Sequence, residues 1–219
     1  MNAVSTACQN PGSVMKATTA GVVGGARVYI LDSHALVRLG LRELLEEAHF
    51  VVVGETGSAA EASRRIPELR PDLVVIGAHL PDGTGIEACR EILSDNPTLR
   101  CLLLSSYDDD HALSAAVLAG AAGYVLRQLP GTAVIEGIRK VATGESLLAP
   151  NAGRSVMDGL LNTEAGVLSA LTSDELRVLD LMGRGLTNRQ ISEETKFAHT
   201  AVRIQVAGIL AKLGFELRV

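Results

Sequence analysis

The chain has 219 residues, of which 47% are hydrophobic and 21% charged, a composition typical of a globular protein with a sizeable core. Aromatic residues make up only 3% and Trp is absent, so aliphatic side chains must fill that core, as is common in a parallel sheet covered by helices. No apolar run approaches the roughly 18 residues of a membrane-spanning helix, and the net charge of −5 does not by itself suggest a nucleic-acid binder.

Residues 1–26 are rich in Ala, Gly, Ser and Thr, and they lack the basic and apolar regions of a secretory signal. We therefore expect a flexible N-terminal tail on a cytoplasmic protein. The three cysteines, Cys8, Cys89 and Cys101, show no CxxC spacing, which argues against a disulfide framework or a zinc site.

Residues 27–145 alternate short apolar runs with amphipathic segments of helix length. The runs have strand length and are rich in β-branched residues. Five such repeats predict a parallel sheet with right-handed crossovers and helices on both faces. The predicted strands are 28–31, 50–55, 73–76, 101–104 and 122–126, and the predicted helices are 36–48, 61–70, 86–96, 112–120 and 134–144.

The functional crevice of such a sheet lies at the carboxyl ends of its strands. These ends offer no nucleophile–base pair, no glycine-rich phosphate loop and no paired carboxylates, which argues against an enzyme. His34 and His79 lie near the same edge, but no spacing points to a metal site, so we expect neither metal nor cofactor. The residues at the strand ends are Asp32–Ser33, Gly77–Ala78, Ser105–Ser106 and Leu126–Arg127.

Residues 146–170 mix turn residues with a short apolar pattern around Val156–Leu161, which predicts a linker with room for one helix. The charge balance also changes after this segment. Residues 171–219 carry seven basic and six acidic side chains, whereas the preceding chain carries 13 and 19. The acidic charge therefore belongs to the first part of the chain, and the last part is close to neutral.

Residues 171–219 have a purely helical pattern. Thr172 followed by Glu175 predicts a capping box at the start of the first helix, and Thr187 caps the second. A third helix extends over about 198–213. Two helices around a short turn, preceded by a supporting helix, predict a helix-turn-helix unit.

Several motifs resemble those of bacterial two-component response regulators. The motifs similar to a receiver domain are LPDGTGIE after the third strand, LLLSSY at the fourth and AGAAGYVLR at the fifth. The motifs similar to the NarL/FixJ (LuxR-type) subfamily are LTSDELRVLDLMGRGLTNRQI and VRIQVAGILAKLG. The resemblance covers Arg27 to Phe215 and implies a flavodoxin-like (βα)5 receiver domain followed by an all-α LuxR-type helix-turn-helix domain.

This chain departs from the typical receiver at the phosphorylation site. The family carries two adjacent acids after the first strand, a phosphoacceptor Asp after the third, a Thr or Ser after the fourth and a Lys after the fifth. The corresponding positions here are Asp32–Ser33, Gly77, Ser105 and Arg127. Gly77 has no oxygen nucleophile for phosphoryl transfer, and Asp32 is the one acid left to bind Mg²⁺. We therefore expect a receiver without a phosphoacceptor and with weak or no metal binding.

The remnant of the receiver pocket comprises Asp32, Ser33, Ser105, Tyr124 and Arg127. We hypothesise that Arg127 pairs with Asp32 across the pocket and fixes one conformation. Ser105 and Tyr124 stand where the family has its signalling hydroxyl and its rotating aromatic ring. Because the trigger is missing, we expect these two residues to pack without switching.

The resemblance implies that the third helix of the last part enters the major groove of DNA. Val202, Val206, Ile209 and Leu213 recur at helical spacing and are expected to face the core. Arg203 matches a position that commonly contacts DNA and has the geometry to bind guanine, while the start of the second helix suits phosphate contact. The predicted DNA-binding residues are Thr187, Asn188, Arg189, Thr200, Arg203, Ile204 and Lys212.

Other positions predict weakened DNA binding. The family often has Lys where Thr200 stands, Ala207 removes a frequent polar contact, and Gly208 costs the helix about 1 kcal/mol relative to Ala. The sequence ends at Val219, before the fourth helix that the family usually has for dimerisation. Fewer cationic contacts predict a lower affinity and a shallow dependence on salt.

The residues thus favour a DNA-binding transcriptional regulator that acts independently of aspartyl phosphorylation, with double-stranded DNA as partner. Partner binding, dimerisation or expression level would supply control. A homodimer and RNA polymerase or other regulators are further candidate partners, and no membrane partner is expected. The alternative is a degenerate regulator that acts as a protein-interaction module without DNA binding. The basic residues retained in 187–203 favour the first hypothesis, and the lost Lys positions favour the second.

Overall fold

The computed structural model describes residues 25–105, 109–163 and 169–215. The predicted tail lies outside these ranges except for Gly25 and Ala26, and Ser106 also lies outside them. Within the described parts, no helix has the length and apolar character needed to cross a membrane.

A five-stranded parallel sheet forms the centre of the first part of the chain. The strands are β1 (Arg27–Leu31), β2 (Val51–Thr56), β3 (Leu73–Gly77), β6 (Arg100–Ser105) and β7 (Gly123–Leu126). The apolar runs form strands because their β-branched and aliphatic side chains suit a sheet that is buried on both faces. The strand order is β2-β1-β3-β6-β7, and every pairing is parallel.

Helices cover both faces of this sheet, as the sequence predicts. These helices are α1 (Ala35–Glu47), α2 (Ala59–Leu69), α3 (Gly85–Asp95), α4 (Asp109–Ala119) and α5 (Gly131–Thr143). One face of the sheet packs against α1 and α5, and the other packs against α2, α3 and α4. We call β1 to α5 the α/β part.

A short hairpin between β3 and α3 is a feature that the sequence analysis missed. Its strands are β4 (His79–Leu80) and β5 (Gly83–Thr84), which pair antiparallel. The carboxylate of Asp82 at its turn accepts hydrogen bonds from the backbone N–H groups of Ala59 and Ala60 at 2.9 and 3.0 Å. The turn residue therefore also caps α2 from a distant position in the chain.

The last part of the chain is helical, as predicted. Helix α6 (Ala152–Thr163) lies within the expected linker and packs against α4. It is followed by α7 (Ser173–Gly183), α8 (Asn188–Thr195) and α9 (His199–Lys212), which together form what we call the three-helix unit. The predicted capping box of Thr172 and Glu175 is present at α7, and Thr187 forms a second box with Gln190 at α8.

The three-helix unit packs directly against the α/β part. One continuous core of buried apolar residues extends from β1, α3 and α4 into α7, α8 and α9. Helix α8 contacts α3, and helix α7 contacts α4. The two parts therefore share buried surface, and this shared surface determines which face of α9 is accessible.

Candidate nucleic-acid interface and strand-end pocket

The pocket at the strand ends is built around the buried carboxylate of Asp32. This residue follows β1, and only 1% of its surface is exposed. Its Oδ2 accepts a hydrogen bond from Arg127 Nη2 at 2.7 Å, while its Oδ1 accepts one from the backbone N–H of His34 at 2.8 Å. The pair that the sequence analysis hypothesised between Asp32 and Arg127 is therefore present in the structure.

Gly77 ends β3 beside this carboxylate. A Cβ atom added at Gly77 would lie 2.2 Å from Asp32 Oδ2, far closer than two such atoms can approach. The space that a side chain at this position would need is therefore filled by Asp32. Any larger residue at Gly77 requires Asp32 to turn away from Arg127.

The other pocket residues line the same edge of the sheet. Ser105 ends β6 and is buried, Tyr124 is half-buried in β7, and Ser33 is exposed. His79 lies close enough to Arg127 and His34 to be affected by them. Burial is the main cause that lowers the pKa of His79, and the charges of Arg127 and His34 lower it further.

The acidic side chains near this pocket bear on metal binding. Across the described ranges, no three His, Cys, Asp or Glu side chains gather in an arrangement that would hold a metal ion. The carboxylate of Asp32 is already paired with a guanidinium, which competes with a cation for the same oxygens.

Helix α9 has the two faces that the sequence predicts. Val202, Val206 and Ile209 are buried in the core, as is Leu213 just after the helix. Its opposite face exposes Thr200, Arg203 and Ile204, while Ala207 is half-buried. Ile204 is the most exposed of the large apolar side chains of this helix, at 68%.

The start of α8 brings Thr187, Asn188 and Arg189 beside the α/β part. The Thr187 hydroxyl caps the helix by accepting from the Gln190 backbone N–H at 3.3 Å, and Arg189 is exposed. Asn188 is only 3% exposed, and its Oδ1 accepts a hydrogen bond from Arg90 Nε at 2.8 Å. One predicted DNA-binding side chain is therefore buried against α3.

The predicted cationic contacts are all paired with carboxylates. Arg203 Nε lies 3.3 Å from Glu91 Oε2, and Arg189 Nη2 lies 3.9 Å from Asp95 Oδ1. Both carboxylates belong to α3 of the α/β part. Lys212 Nζ instead donates to both oxygens of Glu175 at 2.7 Å, within the three-helix unit.

A cleft of about 420 Å³ separates the exposed face of α9 from α2, α3 and the β4–β5 hairpin. Glu87 and Glu91 line one wall, and Thr200, Arg203 and Ile204 line the other. The face of α9 that the sequence assigns to DNA therefore faces an acidic surface of the same chain.

Arg90 is the residue at this interface that the sequence analysis missed. It lies in α3 and is only 1% exposed. Burial lowers the pKa of its guanidinium to about 10. A signal was available, because Arg90 stands directly after Cys89 and three residues before Leu93, both on the apolar stripe of α3. A charged residue within an apolar stripe indicates a buried polar partner.

The comparisons with known proteins agree with this architecture. Residues 28–139 match the response regulator receiver domain, and residues 169–219 match the bacterial regulatory proteins of the luxR family. The chain is 44% identical over 195 residues to the DNA-binding transcriptional activator DevR/DosR of Mycobacterium tuberculosis, an alignment that covers 88% of this chain and 90% of the relative. It is 30% identical to the response regulator VraR of Staphylococcus aureus, covering 88% of this chain and 92% of that protein.

Solved structures of response regulators have a similar fold. A LuxR-family two-component response regulator from Aurantimonas sp. SI85-9A1 is 30% identical with a TM-score of 0.55, and the match covers 63% of this chain and 99% of that one. The response regulator RcsB of Salmonella typhimurium is 23% identical with a TM-score of 0.53 over 89% of this chain and 94% of that one, which supports the fold alone. With its α/β part as receiver domain and its three-helix unit as DNA-binding domain, the chain belongs to the LuxR-type response regulators, a family of DNA-binding transcription regulators.

Proposed function

We propose that this DNA-binding transcription regulator works without phosphorylation of an aspartate in its receiver domain. The observation that carries the proposal is the contact between Asp32 and the position of Gly77, where a side chain would collide with the carboxylate. Phosphoryl transfer to a receiver needs a nucleophilic oxygen at the end of the third strand. Gly77 has no such oxygen, and Arg127 holds Asp32 in the space that an acceptor would need.

The surroundings of the pocket also argue against the Mg²⁺ ion that receivers use. Mg²⁺ requires several hard oxygen ligands in near-octahedral geometry. Ser33 stands where the family has a second acid, and both oxygens of Asp32 already accept hydrogen bonds. The positive charge of Arg127 beside Asp32 disfavours a second cation there.

For DNA recognition, we propose that α9 enters the major groove and that Arg203 reads a guanine through bidentate hydrogen bonds. Thr200 and Ile204 flank it on the same exposed face. The start of α8 would hold phosphates through backbone N–H groups and through Thr187, Asn188 and Arg189, with Lys212 as an additional contact. These contacts require the face of α9 to separate from the receiver domain.

We also propose that the protein acts as a homodimer in the cytoplasm, with RNA polymerase or other regulators as further partners. Leu36 is 83% exposed and Leu39 lies one turn later on α1, also exposed. Two adjacent exposed leucines on one helix face support a self-association surface.

The functional division that we propose is a tail at 1–26, a receiver domain at 27–145, a linker at 146–170 and a DNA-binding domain at 171–219.

The test of phosphorylation independence treats the purified protein with acetyl phosphate and Mg²⁺. We expect an unchanged intact mass and an unchanged affinity for DNA, measured by mass spectrometry and fluorescence anisotropy. Gly77→Asp is the informative variant, because its new carboxylate would have to displace Asp32. We expect this variant to remain unphosphorylated, whereas a phosphoryl adduct on the wild-type receiver that changes DNA affinity would refute the proposal.

A second function is favoured by one specific observation. Asn188 is hydrogen-bonded to the receiver domain, and Arg189 and Arg203, two more of the predicted DNA contacts, form ion pairs with it at 3.9 and 3.3 Å. A regulator in which these contacts never open would act as a protein-interaction module. A titration with DNA separates the two functions, since only the first predicts saturable binding.

A further inference from the structure

Two buried thiols face each other where α3 packs against β6. Cys89 lies on α3 and is fully buried, and Cys101 lies on β6 and is 1% exposed. Both belong to the same apolar cluster, and the two thiols are hydrogen-bonded to each other. Neither forms a disulfide, and neither is among the residues assigned to DNA binding. Their positions in the sequence show no CxxC spacing, so only the fold reveals this contact.

We propose that Cys89 and Cys101 close a reversible disulfide, which makes the pair a redox-sensitive modification site in the receiver domain. The oxidant is a small hydroperoxide such as hydrogen peroxide, and a dithiol reverses the reaction. The inference goes beyond the proposed function, and it holds whether or not the chain binds DNA. For a receiver that lacks a phosphoacceptor, as proposed above, the pair supplies a covalent input.

A cavity of about 280 Å³ gives a small oxidant access to this pair. The buried residues Cys101 and Arg90 form part of its lining. Pro97 and Gly120 also line it and are exposed, so the cavity is open to solvent. Hydrogen peroxide is close in size to water, which occupies about 30 Å³. The oxidant therefore reaches Cys101 without unfolding of the domain.

The two sulfurs have different surroundings. The hydrogen bond with Cys89 is the main cause that raises the pKa of the Cys101 thiol, and burial raises it further. Because the thiolate is the reactive form, Cys101 reacts slowly, and the pair responds to sustained rather than brief exposure. Cys89 lies beside Arg90, close enough for their charges to attract each other. A neighbouring guanidinium is typical of reactive cysteines.

The disulfide forms in two steps that together consume one hydrogen peroxide. The Cys101 thiolate first attacks a peroxide oxygen, so that an S–O bond forms and the O–O bond breaks. The hydroxide that leaves takes up the proton lost by the Cys101 thiol and becomes water. The Cys89 sulfur then attacks Cys101 Sγ, so that the S–S bond forms and the S–O bond breaks. The second hydroxide leaves as water with the proton of Cys89, and the peroxide has gained the two electrons that the thiols lost.

Closing the disulfide moves α3 relative to the sheet. A disulfide bond is shorter than a hydrogen bond between two sulfurs, so the reaction draws Cys89 towards β6. Arg90 follows Cys89 directly in α3, and its guanidinium donates to the Leu186 carbonyl and to Asn188 Oδ1, both at 2.8 Å. Leu186 precedes α8 and Asn188 begins it. The oxidation state of the pair is therefore communicated to the start of α8.

The experiment treats the full chain with hydrogen peroxide for several hours and then alkylates the remaining thiols under denaturing conditions. Every protein carries Cys8→Ser, so that Cys8 cannot link two molecules. We expect the oxidised protein to lose about 2 Da and to take up no alkyl group, and dithiothreitol to restore both thiols. Cys89→Ser and Cys101→Ser are the matched controls, because each keeps one thiol and cannot lose this mass.

Amide hydrogen exchange of 85–95 and 188–195 measures the transmission to α8. We expect exchange in both segments to change when the Cys8→Ser protein is oxidised, and to stay constant in the two single-thiol controls. Circular dichroism checks that each protein remains folded. If a serine variant fails to fold, alanine at the same position replaces it, since alanine leaves no polar group unpaired in the core.

The outcomes separate the modification site from its effect on α8. An unchanged mass overturns the redox pair, and so does the addition of oxygen without the loss of two hydrogens. A disulfide that forms only in denaturant overturns it as well, because the cavity then gives no access. If the disulfide forms in the folded protein but exchange of 188–195 is unchanged, the transmission to α8 is overturned while the modification site stands. None of these measurements involves DNA, so their failure is distinct from a failure of the proposed function.

Discussion

At the residue scale, the strand-end pocket is centred on the ion pair between Asp32 and Arg127. Asp32 is almost completely buried, and the guanidinium of Arg127 is its charged partner at 2.7 Å. A buried carboxylate that loses its partner keeps its desolvation penalty without the compensating attraction. The backbone N–H of His34 would then be its main remaining donor.

We therefore predict that Arg127→Ala lowers the free energy of unfolding by roughly 2–4 kcal/mol, below the full cost of a broken buried pair because the Arg127 side chain is 25% exposed. Urea denaturation monitored by circular dichroism measures the change. Arg127→Lys serves as the control, since it keeps the charge and should lose less. Equal stability of Arg127→Ala and wild type would show that the pair does not hold the pocket.

The sequence predicted this pair but could not predict its consequence for Gly77. The family resemblance gave the positions of Asp32, Gly77 and Arg127, and their chemistry suggested the pairing. That Asp32 turns into the space beside Gly77 depends on the register between β1 and β3, where Leu31 pairs with Ile76. Such a contact joins residues that are far apart in the chain, so no local pattern contains it.

At the element scale, helices α7 and α9 are connected by Glu175. Its carboxylate accepts from Lys212 and from the backbone N–H of Thr172, and these bonds lower the pKa of Glu175, with the Lys212 contact as the largest cause. Because the pKa of Glu175 is lower in the folded chain, its ionised carboxylate stabilises the fold at pH values above its usual pKa near 4.5. This contribution is lost as the pH falls through the lower, folded-state pKa.

We predict that Glu175→Gln costs about 0.5 kcal/mol of stability at pH 7, because the amide keeps the capping box, as Gln190 does at α8, but loses the ion pair with Lys212. The difference from wild type should shrink as the pH falls below 4.5. Chemical denaturation across pH 3 to 7 tests this, with Glu193→Gln, an exposed change on α8, as control. A difference that stays constant with pH would contradict the assigned role.

Most elements could be predicted from the sequence because their signals are local. The five strands, the helices between them and the capping box at Thr172 follow from apolar periodicity and from single capping residues. The β4–β5 hairpin was missed because strands of two residues have no periodicity to detect. Its Asp82 caps α2 across 23 positions of the chain, which only the folded structure reveals.

At the scale of the whole molecule, the important feature is the surface shared by the two domains. Arg90 and Asn188 are 98 positions apart, so no local pattern in the sequence relates them. The sequence therefore predicted the two faces of α9 correctly, but it could not predict that the exposed face meets the receiver domain. The net acidity of the first part of the chain is consistent with this arrangement, since its α3 carboxylates face the arginines of the DNA-binding domain.

The measurement that tests the account most directly is an anisotropy titration of the full chain against fluorescent genomic DNA fragments, at two salt concentrations. Arg203→Ala is compared with Arg177→Ala, an exposed change on α7 outside the predicted contacts. We predict saturable binding that weakens at higher salt. Arg203→Ala should weaken the free energy of DNA binding by about 1–3 kcal/mol, whereas Arg177→Ala should leave it unchanged. Absence of saturable binding by the wild-type chain, or full binding by Arg203→Ala, would contradict the proposed mode of DNA recognition.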